Sequence, residues 1–231
     1  MATYQEQQKD LINTIERQVS AGSFSATTVA MRNDFVTSQE ISLTAVSFVP
    51  PEINRVISES IIEPLRQVEP GHYFLPPESR HVTIKNVRAI HHPPNFTDGD
   101  IEKVAALFAK IIPEHQSFSF HLQGLLLFPT SISLMGYCDE RLKYLVQALD
   151  SGLRDIGVPD DKKYLSDEVF FGNITLCRLT ASPSLAFIAK IKGFKNVVVG
   201  SLPLTEISLI SCNPVCHPSS RKIIAQYSLK I

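Results

Sequence analysis

Polar and apolar residues alternate most sharply in two short stretches of the chain. His81-Val82-Thr83-Ile84 runs polar, apolar, polar, apolar, and Asn173-Ile174-Thr175-Leu176 repeats the pattern ninety-two residues later. In a strand, residues i and i+2 point to one face. The pattern predicts that His81 and Thr83 share a face, as do Asn173 and Thr175. Val82, Ile84, Ile174 and Leu176 are then directed at a core.

Other segments show helical spacing. Leu11, Ile12, Ile15 and Val19 predict a helix over 4–20. Ala21 to Gln39 is rich in Ser, Thr and Ala, and reads as an extension with one strand around Thr27–Met31. A strand over 41–49 ends at Pro50-Pro51. The helix that follows carries Ile53, Val56, Ile57, Ile61, Leu65 and Val68 on one side, with a kink expected at Pro64. After the first alternating strand (80–89), the His91-His92-Pro93-Pro94 run reads as a polar loop. A helix capped by Asp98 or Asp100 runs to Ile112. Strands are expected at 117–127 and 131–137, then a helix over Leu142, Leu145, Val146, Leu149 and Leu153 that stops near Gly157. A polar loop from Pro159 to Asp167 leads to the second alternating strand. A helix opening at Ser182-Pro183 follows, then strands at 195–202, 204–212 and 221–230. The order strand, helix, alternating strand, helix, strand thus occurs twice. It divides the chain into an N-terminal helix and extension (1–40) and a domain (41–231) with lobes of about 41–128 and 129–231.

Composition narrows the function. Hydrophobic residues at 44% and charged ones at 19% describe a folded domain. A net charge of −1, with no Lys/Arg run, argues against a long nucleic-acid duplex as partner and favours a small nucleotide or an RNA terminus. No run of about 18 apolar residues is present, so no membrane contact is expected. Four scattered cysteines (Cys138, Cys177, Cys212, Cys216) do not make a disulfide framework, which fits a reducing cytoplasm. Cys212, Cys216 and His217 read as an inter-strand loop and not as a metal site. No cofactor is implied, and oligomeric state is not legible.

With its paired strands, the chain resembles the 2H phosphoesterase superfamily, which includes the RNA 2′,3′-cyclic phosphodiesterases historically named 2′-5′ RNA ligases. The hallmark there is a His-x-Thr/Ser-apolar strand in each of two lobes. His81-Val82-Thr83-Ile84 followed by Lys85 matches the first motif. Thr175, Leu176 and Arg178 match the second, where Asn173 replaces the histidine. Leu127-Phe128-Pro129 and Gly157-Val158-Pro159 also fit, and the likeness covers about Ile41 to Leu229.

The resemblance implies an α+β, two-lobed, pseudo-duplicated fold with antiparallel sheets around a central groove. It implies metal-independent opening of 2′,3′-cyclic phosphate or 2′-5′ phosphodiester bonds. His81 would transfer a proton, Thr83 and Thr175 would donate to the phosphate, and Lys85 or Arg178 would add positive charge. Arg178 has the wrong strand parity to join Thr175 unless a bulge intervenes. Asn173 can hold a phosphate oxygen or a water but cannot act as acid or base, so turnover should be weakened. The alternative is a binding module without catalysis. His72, His115, His121 and His217 are the histidines available to stand in for the missing imidazole, with His121 expected at a solvent or groove edge.

Overall fold

Two capping side chains start the chain's first element. In the computed structural model, which describes residues 2–26 and 28–231, Thr3 accepts a hydrogen bond from Glu6 N, and the Glu6 carboxylate accepts one from Thr3 N. This reciprocal box opens α1 (Tyr4–Ser20). Of the strand expected near Thr27–Met31, Thr27 lies outside the described residues and 28–31 have no regular structure. After β1 (Ile41–Phe48) comes α2 (Pro51–Ile57), which continues through a π turn at Ser58–Ile62 into α3 (Glu63–Val68). Pro64 has no N–H and its ring collides with the preceding turn of a regular helix. Here the turn before it widens, with Glu63 N bonding Ser58 O.

The remaining elements are β2 (Tyr73–Phe74), β3 (His81–His91), α4 (Asp98–Ile111), β4 (Phe118–Phe128), β5 (Ser131–Tyr137) and α5 (Arg141–Asp155). They are followed by β6 (Gly172–Arg178), α6 (Leu185–Gly193), β7 (Val198–Leu204), β8 (Glu206–Cys212) and β9 (Lys222–Ser228). Two helix starts differ from expectation. Thr97 caps α4, with Asp100 as the third residue of a second reciprocal box, because the threonine hydroxyl reaches Asp100 N. Ser184, not Ser182, caps α6: its hydroxyl accepts from Phe187 N, while Glu69 accepts from Ser184 N and Oγ.

The strands form one antiparallel α+β sheet in the order β7-β4-β5-β6-β3-β1-β8-β9, with β2 added on β6. It is two four-stranded halves, β7-β4-β5-β6 and β3-β1-β8-β9. A single residue pair, Val82 with Ile174, links them. A lobe boundary at 128/129 would cut the β4–β5 hairpin, and β8 and β9 return from the chain's end to pair beside β1. The halves therefore interleave in sequence, unlike the simple division expected.

The main core lies on one face, where Val82, Ile174 and Leu176 are fully buried with Phe108, Phe120, Leu149 and Phe187. α1 packs on the other face, through Ile12 and Ile15 against Leu126 and Met135. Gln8 anchors it: its amide donates to Phe170 O at 2.7 Å and accepts from Cys138 N at 3.0 Å.

Gly124 carries a bulge that bends β4, where its register with both β5 and β7 shifts. Its φ is +80°, and an added Cβ would sit 2.6 Å from the Lys195 carbonyl oxygen. Gly124→Ala is expected to cost about 2–4 kcal/mol, combining left-handed strain with a backbone clash. Urea denaturation would check it.

Candidate functional site

β3 and β6 run side by side at the centre of the sheet, and their outward faces line one groove. His81, Thr83, Asn173 and Thr175 are each half-buried there, while Val82, Ile84, Ile174 and Leu176 point into the core. The antiparallel Val82–Ile174 pairing sets His81 across from Thr175, and Thr83 across from Asn173. Each threonine thus faces the other strand's first motif residue, and the two motif residues lie on a diagonal. Because pairing stops at that one position, the strands splay and leave a cavity of about 840 Å³. Leu11, Ile15 and Phe24 of the N-terminal segment form part of its wall.

His81 is oriented by its own backbone neighbourhood. Ser79 O accepts from its Nδ1 at 2.8 Å, so the Nδ1–H tautomer holds and Nε2 is left for chemistry. The Phe48 ring stands edge-on to the imidazole at 6.1 Å. Opposite, Asn173 Nδ2 reaches Ser133 Oγ at 3.4 Å.

Arg178 joins the groove through a bulge. Between Thr175 and Cys177, β6 advances two residues while β5 advances one, from Ser133 to Ile132. Leu176 and Cys177 are both buried as a result, and Arg178 turns back to the face of Thr175. Its Nε is buried with no hydrogen-bond partner, and among the described residues no carboxylate pairs with it. Burial pushes the guanidinium down to about 10, so it stays charged at neutral pH.

Lys85 also lines the cavity, but its ammonium is taken. It donates to Asp150 at 2.9 Å and Asp160 at 2.8 Å, and is almost fully buried. That geometry ties the 160s loop to β3 and leaves no free charge for an anion. Lys162, in the same loop, was not singled out by the sequence pattern. It lines the cavity, and burial pushes its ammonium down while Asp160 pulls it up and Arg178 adds a downward push. The Asp160-Asp161-Lys162-Lys163 run ahead of the second motif was the available signal.

Among the described residues, His81 is the one histidine on the cavity wall. His72 bonds Thr180 away from the groove, His121 is exposed on β4, and His217 bonds Ser219. His91, expected in a loop, is the last residue of β3, and it and His92 bond the carbonyls of Pro93 and Gln39. Cys138 and Cys177 are buried free thiols. No group of three metal-ligating side chains is present among the described residues, and no helix of the described residues is long and apolar enough to cross a membrane.

Two antiparallel half-sheets meeting at a groove define the fold shared with phosphoesterase structures of the LigT kind. TT0787 of Thermus thermophilus superposes with a TM-score of 0.59 at 18% identity, over 82% of this chain and 98% of that chain. A crystallised phosphoesterase gives 0.58 at 15% identity, over 83% and 99%. E. coli LigT in its apo form gives 0.58 at 16%, over 84% and 100%. LigT has also been crystallised with phosphate, 3′-AMP, ATP and NADP+. At these identities the likeness establishes fold. No family model and no curated protein matches the sequence.

Proposed function

We propose that the chain is a degenerate 2H phosphoesterase whose groove holds the terminal phosphate of a nucleotide or RNA end. The observation that carries this reading is Arg178. A half-buried cation whose Nε is sealed from water with no hydrogen-bond partner is costly, and this one shares a cavity with Thr83, Thr175 and His81. A phosphate there would accept charge-assisted hydrogen bonds from the guanidinium and hydrogen bonds from both hydroxyls. The nucleotide complexes of LigT support the same ligand class.

His81 supplies one proton-transfer group through Nε2. In-line opening of a 2′,3′-cyclic phosphate or a 2′-5′ bond needs a base on one side of phosphorus and an acid on the other. Asn173 occupies the second position and can do neither. Turnover is therefore slow, and retention of the ligand is the dominant property. The carboxamide in an otherwise complete site favours binding over catalysis as the second reading.

The test is calorimetric titration of 3′-AMP and inorganic phosphate, beside turnover of 2′,3′-cyclic AMP. Binding with slow turnover that His81→Ala abolishes is the expected result. Absence of phosphate or nucleotide binding by folded protein would overturn the proposal.

A further inference from the structure

The loop ahead of β6 is fastened to β3 on both sides of Lys162. Arg88 donates to Pro159 O. Lys85 donates to the Asp160 carboxylate at 2.8 Å, and the Tyr164 hydroxyl donates to it at 2.6 Å. Asp161 accepts from Ala89 N at 2.6 Å and from the Asn95 amide. Asn86 donates to the Tyr164 hydroxyl at 3.3 Å. Between these anchors, Lys162 N donates to Asp160 at 2.7 Å, which fixes the backbone there. The Lys162 side chain is half-buried on the cavity wall, with Nζ 5.6 Å from the centre of the Tyr164 ring. Among the described residues no carboxylate forms an ion pair with it. The carboxylates of Asp150 and Asp160 are taken by Lys85 and Arg154, that of Glu168 by Lys143, and Asp167 is exposed to solvent.

Strand register sets where this cation stands. With Val82 paired to Ile174 in antiparallel strands, Arg178 lies past the His81 end of the groove. Lys85, which holds the loop, is four residues along β3 in the other direction, about 13 Å from His81. Thr83 and Thr175 lie between. Arg178 and the loop that bears Lys162 are thus anchored at opposite ends of one groove. A phosphate held by Arg178 and the two hydroxyls answers one cation and leaves the other without a counter-ion. An ammonium is a compact point charge on a long stem, and it suits a phosphoryl oxygen without requiring a forked geometry.

We infer that Lys162 is a specificity-determining residue that binds a second phosphoryl group of the ligand whose first phosphate lies at Arg178, so that the groove selects a nucleoside phosphorylated on both sides of its ribose. The inference rests on the phosphate-holding groove proposed above. A free nucleoside 3′,5′-bisphosphate and the last nucleotide of a 3′-phosphorylated RNA share this chemistry. They differ in the second phosphate, which is a monoester in the first and a diester in the second. Both carry the negative charge that Lys162 lacks as a partner.

The experiment is calorimetric titration of the full-length chain with 3′-AMP and with adenosine 3′,5′-bisphosphate. The native chain should bind the bisphosphate about tenfold or more tighter, the worth of one added hydrogen bond to a charged group. In Lys162→Met the two ligands should bind alike, whereas Lys162→Arg, which keeps the charge, should preserve the preference. Thermal unfolding confirms that both variants are folded. The 3′-phosphorylated dinucleotide ApAp separates the two sources. Binding as tight as that of the bisphosphate assigns the site to an RNA end, and binding no tighter than that of 3′-AMP assigns it to the free bisphosphate. Equal binding of 3′-AMP and the bisphosphate by the native chain, or a preference that survives in Lys162→Met, would overturn the inference and leave the proposed function standing. Binding of neither ligand would overturn both.

Discussion

Asn173→His is expected to raise hydrolysis of a 2′,3′-cyclic nucleotide by about 10²–10⁴-fold over the native chain, the range one positioned acid or base contributes. Position 173 lies diagonally across the groove from His81, beside Thr83, and its side chain is half-buried on the cavity wall. An imidazole there would stand on the far side of a phosphate held by Thr83, Thr175 and Arg178. The in-line requirement is then met, with one imidazole taking a proton while the other gives one. The substitution exchanges one half-buried polar side chain for another, so stability should change little. His81→Ala in the same background should return the rate to that of the native chain or below. The pH–rate profile should gain a second limb, because two groups must hold opposite protonation states. A folded variant with unchanged rate would show that the groove is not aligned for this chemistry.

Much of this site was legible because strand alternation is a strong local constraint. His81 with Thr83, and Asn173 with Thr175, share a face for the reason their spacing predicts, and the buried partners fall between them. Helices with clear apolar spacing were equally plain, although two began one or two residues from where the pattern placed them. Thr97 and Ser184 won those starts through hydroxyl contacts that hydrophobic periodicity does not register.

Tertiary pairing was not legible. Which half-sheet receives β8 depends on its partner β1, more than 150 residues away in the chain, and no local pattern encodes that. Arg178 shows the same limit at a single residue. Its parity pointed away from the groove, and only the pairing of β6 with β5 reveals the extra residue that turns it back. Lys85 errs the other way. Its parity was right, but Asp150 and Asp160 come from distant segments and consume its charge.

Arg178→Met is expected to separate ligand binding from stability, lowering the first and raising the second. Losing one partner of a buried charged contact costs about 2–5 kcal/mol, which is about 30- to 3,000-fold in the affinity for inorganic phosphate or 3′-AMP. In the free protein the same cation is a burden: its Nε is buried and unpartnered, and burial has already pulled it down to about 10. Methionine keeps much of the stem's volume and removes the half-buried charge with its unpartnered Nε. A gain on the order of 1 kcal/mol is expected, or about 2–4 °C in Tm for a chain of this size.

The pH dependence has a definite sign. Between about 10 and the guanidinium's ordinary value, the unfolded chain holds a proton on this group that the folded chain has released. Stability contributed by Arg178 therefore rises with pH across that window, and the methionine variant should lose that increment. Phosphate should raise the Tm of the native chain and leave the variant's unchanged, because ligand stabilisation requires binding to the folded state. Thermal unfolding of both proteins with and without phosphate measures all of this in one experiment. A variant that is less stable yet binds phosphate normally would mean that Arg178 serves the fold and not the groove.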